Sequence, residues 1–166
     1  MDNSTLNYEP LDTTQEKKRK TVSILKLVVF SIGQLNVAFS INSVQKVIKY
    51  THIYSSGLTD IGIIHLDDQE ITVIDLYQRL YKKPFIPQEN QEGYLVIAKN
   101  TVGESFAIVS IETPSLIDVS LSQIRVLPES YRKSDTLEIA SHVTVIPREN
   151  GSITVFLLDG DRLVPP

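Results

Sequence analysis

The sequence predicts an all-β protein built on a closed barrel, and three observations carry that reading. Short runs rich in Val, Ile and aromatic residues alternate along the chain with turn-forming clusters, giving about nine or ten strands and very little helix. Successive runs are joined by short breaks containing Gly, Asn or Asp, which tolerate the backbone angles that antiparallel hairpins need. The central run Ile61, Gly62, Ile63, Ile64 alternates too little for a sheet with one wet face, so cover on both sides is expected, and with it closure.

Taken in order, residues 1–22 are polar, contain Pro10 and end in the basic run Lys17, Lys18, Arg19, Lys20. With no apolar period to dock, they are expected to be a tail outside a domain spanning 23–166. Ile24–Ile32 and Leu35–Ile41, divided by Gly33-Gln34, predict a first hairpin. Asn42 or Ser43 is placed to cap a helical turn through Val44 and Val47, with extended chain resuming at Ile48–Tyr50. Ile61–Leu66 and Ile71–Ile74 then frame the polar break Asp67, Asp68, Gln69, Glu70, a second hairpin whose tip crowds three carboxylates. Like charges that close call for a balancing cation.

Tyr77–Tyr81 is expected to be a short helix, ended by Pro84 and Pro87, with a connection between two halves near 82–92. The second half repeats the pattern. Tyr94–Ala98, a turn at Asn100–Gly103 and Ser105–Ile111 make a hairpin, followed by Leu116–Val119 and an exposed loop or single helical turn over Ser130–Glu138. Val143, Val145 and Ile146 pair with Ile153–Leu158 across Glu149-Asn150-Gly151, and Asp159-Gly160-Asp161 reads as a tight turn before Leu163-Val164.

Composition narrows the function. The absence of cysteine removes disulfides, thiolate metal sites and cysteine nucleophiles, and fits a reducing cytosol. A net charge of -4 with no basic cluster beyond the tail argues against a nucleic-acid partner. No apolar run approaches the ~20 residues that span a bilayer, and the N-terminus lacks signal-peptide order, so a cytoplasmic protein without membrane insertion is expected. There is no phosphate-binding glycine loop and no nucleophile elbow. His65 with Asp67 and Asp75 would make a metal site only by long-range convergence, and the carboxylates of Asp67, Asp68, Glu70 and Asp75 lie at a wet hairpin tip rather than in a cleft.

The central hairpin, Gly62, Ile63, Ile64, His65, Leu66 and then Ile74, Asp75, Leu76, resembles the CheW family of chemotaxis coupling proteins, whose pattern is Gly, two hydrophobics, any residue, Leu, a turn, alternating hydrophobics and Ile-Asp-Leu. Upstream, Phe30–Ile48 is similar to the family's first hairpin and its Val-x-Glu-Ile box. Downstream, Gly103–Glu112, Val126-Leu127-Pro128 and Ile153–Asp159 follow in the family's order, so the resemblance covers about Ile24 to Val164. It implies two five-stranded barrels packed on a shared core with short helical turns, and neither catalysis nor a cofactor. It also implies a monomeric cytoplasmic adaptor joining a methyl-accepting-type receptor to a CheA-type histidine kinase, in a flagellar, pilus-based or other pathway. By that resemblance Val44, Lys46, Val47, Asp67 and Asp68 are the expected partner contacts. The alternative is a metal-assisted hydrolase or other small-molecule-binding barrel using the Asp67/Asp68 turn.

Departures from the family pattern are specific. Asp67-Asp68 stands where the family usually has Arg-Gly, Lys46 where it has Glu, Thr72 where it usually has Pro, and Ser110 where Asp is frequent. If the family's Glu and Arg face each other, Lys46 and Asp67 form the same pair with signs exchanged.

Overall fold

The computed structural model describes residues 23–83, 93–132 and 138–165. The expected tail and most of the expected connection near 82–92 lie outside the described residues. The β-branched run Ile24–Ile32 forms β1 and pairs antiparallel with β2 (Leu35–Ser40) around Gly33. Gly33 has φ +62°, and a Cβ there would meet the Tyr81 hydroxyl at 2.8 Å and its ring at 2.9 Å, so only glycine lets the turn sit under that side chain. Tyr81 donates its hydroxyl to the Ile32 carbonyl at 2.8 Å, fixing the helix that carries it against the first hairpin.

The expected helical turn after β2 is displaced. A single 3-10 turn covers Ile41–Ser43, capped by the Ser40 hydroxyl, and Val44–Lys49 is a full strand, β3. Val44, Val47 and Ile48 favour the pleat, and β3 gains a ladder with β6 (Tyr94–Lys99) that no helical turn would offer. The second hairpin, β4 (Ile61–Leu66) and β5 (Gln69–Ile74), closes through a two-residue turn. Its residues Asp67 and Asp68 take φ +52° and +63°, positive angles that aspartate tolerates, so Gln69 and Glu70 belong to the strand rather than the turn. Cover on both faces fails for β4: Ile61 and Ile63 face outward, alternating with buried Gly62 and Ile64. It holds for the middle of β1, β6 and β7 (Ser105–Ser110).

Helix α1 (Leu76–Tyr81) starts where the Asp75 carboxylate accepts from Gln78 N at 3.0 Å and stops at Lys82, in the left-handed region at φ +58°. The second half contains β6, β7, β8 (Ser115–Ser120), a two-residue β9 (Arg125–Val126), one turn of helix α2 (Glu129–Arg132), β10 (Ala140–Arg148) and β11 (Gly151–Leu158). The Asp159-Gly160-Asp161 segment is not a tight turn. Asp159 caps a short helix, α3 (Gly160–Leu163), much as Asp75 caps α1.

Two sheets result, ordered β8-β1-β2-β11-β10-β9 and β3-β6-β7-β5-β4. Each curls around its own apolar interior: Leu27, Val29, Val155 and Leu157 fill one barrel, and Ile64, Val73, Leu95 and Ile97 fill the other. A third cluster, including Phe30, Phe39, Ile74, Phe106, Ile108 and Leu158, lies where the barrels meet. The halves exchange hairpins. β1-β2 joins the sheet of the second half through a parallel β2-β11 pair, and β6-β7 joins the sheet of the first half through a parallel β5-β7 pair.

The chain end is clasped to the β6-β7 turn. Asn100, nearly buried, accepts from Val102 N and Glu104 N and donates to the Val164 carbonyl at 3.0 Å. Asp161 accepts from the Thr101 amide at 2.9 Å and its hydroxyl at 2.7 Å. The amide bond first and the hydroxyl bond second hold the Asp161 carboxyl below its ordinary pKa, with burial opposing them. A depressed folded-state pKa means stabilisation that is present above the unfolded value and lost as pH falls through the folded one. Wild type should therefore melt above Asp161→Asn at neutral pH, and the gap should close below roughly pH 4, which melting curves across pH would read. A gap independent of pH would contradict it.

Candidate partner-binding surface

β3 and β4 are the two open edges of the five-stranded sheet, and curling brings them toward each other. A register shift between Val44 and Lys46 bulges Gln45 out of the ladder, where its side-chain oxygen accepts from Ser105 Oγ at 2.7 Å. Lys46 reaches across the seam, and its Nζ lies 3.0 Å from Asp67 Oδ2. The cation that the acidic turn calls for is this lysine, and the exchanged pair expected from the sequence is formed. The two-residue turn makes it possible by presenting Asp67 at the hairpin tip.

The pair is well exposed, at 45% and 77% for the two side chains, so its contribution to stability is at most about 1 kcal/mol. A double-mutant cycle with Lys46→Met and Asp67→Asn should return a coupling of that size or less; a coupling above ~2 kcal/mol would show a desolvated pair instead. Asp68 makes no ion pair among the described residues.

Beside this pair runs a groove of about 490 Å³, with β3 (Val44–Lys49) as one wall and Thr113–Leu116 of the β8 region as the other. Val28 and Tyr94 also line it, and Val47, Ile41 and Leu116 expose 39%, 37% and 61% of their surfaces. Each wall is an outer strand of its sheet, so backbone donors and acceptors as well as apolar side chains face the groove. Of the sequence-expected contacts, Val44, Lys46 and Val47 line the groove, Asp67 sits at its rim through Lys46, and Asp68 lies beyond it. Leu116 and Tyr94 were not foreseen. They reach the groove only through pairing between halves, for which no local signal exists.

Three of the residues considered for chemistry are occupied otherwise. The His65 ring packs edge-on to Tyr54 at 5.5 Å, Asp75 caps α1, and Asp67 holds Lys46. Among the described residues no three His, Asp or Glu side chains converge as a metal site. Nothing here supports a hydrolase at the Asp67/Asp68 turn.

The model of the CheW-like domain family matches residues 26–165. The chain belongs to that family. The CheW-like chain is also similar to a solved structure, the scaffolding protein TtCheW from Thermoanaerobacter tengcongensis, with a TM-score of 0.66 at 19% identity over 82% of this chain and 85% of that one. At that identity the likeness speaks for the fold, and two packed β subdomains are what both share. No curated protein matches the CheW-like chain by sequence. The family's departures can now be placed: Ser110 is fully buried and donates to the Glu112 carbonyl at 2.7 Å, and Thr72 pairs with Ile63 inside the hairpin.

Proposed function

We propose that this CheW-like chain is a non-catalytic adaptor that joins a methyl-accepting-type chemoreceptor to a CheA-type histidine kinase in the cytoplasm. The observation that carries the reading is the apolar groove between β3 and β8 with a charged pair at its rim. Exposed Val47 and Leu116 supply affinity when covered, at roughly 25 cal/mol per Å² of apolar surface, and the rim charges sort partners. The TtCheW structure, described as a scaffolding protein, supports the same class of role. No helix among the described residues is long and apolar enough to cross a membrane.

A pull-down from the native cell with the full chain as bait tests the proposal. Wild type should recover a histidine kinase and a coiled-coil receptor together, and Leu116→Asp should lose at least one of them. Recovery of neither, or equal recovery with Leu116→Asp, would overturn it.

Lys46 and Asp67 give the adaptor a rim whose signs oppose those usual in the family, so we infer a dedicated receptor and kinase. Such a rim rejects partners built for the usual arrangement by juxtaposing like charges.

A further inference from the structure

A second cleft, of about 860 Å³, opens between α1 and the segment joining Glu138 to β10, with Arg162 of α3 at its wall. It shares no lining residue with the groove. In each half the capping aspartate donates its amide to the chain just before β4 or β10: Asp75 N to Asp60 O at 2.7 Å and Asp159 N to Ile139 O at 2.8 Å. Each short helix thereby aims an arginine at the same space.

The two guanidiniums are held without being saturated. Arg79 is about three-quarters buried and uses its Nε on Asp60, while Arg162 gives Nη1 to the Glu138 carbonyl at 2.7 Å and Nε to Asp159 at 3.4 Å. Among the described residues the other nitrogens of both forks have no partner, and neither does the exposed Lys82 ammonium at the rim. Oriented guanidinium forks are suited to carboxylates. Beside them Leu58 is 86% exposed on a turn stiffened by Ser55 and Ser56, whose hydroxyls accept from Gly57 N and Leu58 N. Asp60, held by Arg79, and the exposed Glu138 also line the cleft, so its three cations outnumber two carboxylates by one, and with the apolar knob beside them the lining matches a ligand bearing both acid and hydrocarbon.

We infer that the cleft formed by Arg79, Lys82 and Arg162, with Leu58 at its edge, docks an acidic peptide segment of a partner that carries an apolar residue. Its breadth suits several extended residues rather than one inorganic anion. Because the groove is separate, this segment can bind while the groove is filled, giving the chain a further point of attachment that does not depend on the adaptor reading.

The test is fluorescence anisotropy on the full chain, using a labelled peptide of roughly eight residues made of glutamate around one central leucine, against a counterpart with lysine for glutamate. The glutamate peptide should bind saturably and weaken with salt, and the lysine peptide should not bind. Lys82→Glu should weaken binding at least about tenfold and Leu58→Ser about threefold, both being exposed substitutions that leave the fold intact. Equal affinity for wild type and Lys82→Glu, or equal binding of the two peptides, would overturn the inference. So would binding that survives Lys82→Glu but disappears in Leu116→Asp, which would hand the peptide to the groove.

Discussion

Replacing Phe106 by alanine is expected to destabilise the protein by about 3–5 kcal/mol and to lower Tm by roughly 10 °C. Phe106 is fully buried on β7, with its ring edge-on to Phe39 at 5.7 Å. β7 belongs to one sheet and β2, which carries Phe39, to the other, so the contact joins the two barrels. Truncation would remove burial and leave a cavity where neither sheet can collapse without distorting its own ladder. Urea unfolding of wild type and Phe106→Ala measures the difference, with Ile63→Ala on the outer face of β4 as a comparison expected to cost under about 1 kcal/mol. A loss below ~1 kcal/mol for Phe106→Ala would mean that the shared core is not what binds the halves.

The second large effect concerns partner choice. Asp67→Arg would place a guanidinium beside Lys46, where an attractive contact at 3.0 Å now stands, and would reverse the charge that an incoming partner meets. On the proposed adaptor role, binding to the cognate kinase domain is expected to weaken at least about tenfold, mainly through slower association, because rim charges act on encounter. Adding Lys46→Glu restores an attractive pair with the family's usual signs. The double variant should keep wild-type stability within ~1 kcal/mol yet still bind the cognate domain poorly, and should gain affinity for a kinase domain from a system with the usual signs. Titration of both domains against the three proteins decides it. Equal binding throughout would show that the reversed rim carries no specificity.

Much of the local structure was legible because its causes are local. The hairpins β1-β2, β4-β5, β6-β7 and β10-β11 and the short helix α1 follow from neighbouring residues, whereas Asp159 caps the helix α3 where a tight turn is expected, and the β4-β5 turn takes two residues where a four-residue break is expected. Errors arose where two local readings compete. Val44–Lys49 follows a cap signal at Asn42-Ser43 yet carries β-branched residues, and pairing with β6 settles it as strand. Ile61 and Ile63 look like core residues, yet their strand is an edge with one wet face, which hydropathy alone does not reveal.

The candidate site divides in the same way. Lys46 facing Asp67 was foreseen from complementary reversals at two motif positions, whereas the opposite wall of the groove at Leu116 was not. Turn chemistry, strand positions and the acidic tip are properties of neighbouring residues, and the chain's order of amino acids determined them. Which hairpin joins which sheet is different. Both hairpins, β1-β2 and β6-β7, present apolar faces, and they trade places through the parallel pairs β2-β11 and β5-β7, with Phe39 packed on Phe106 where the two sheets meet. Tertiary structure alone therefore made the groove, because its walls are edge strands whose proximity comes from that exchange.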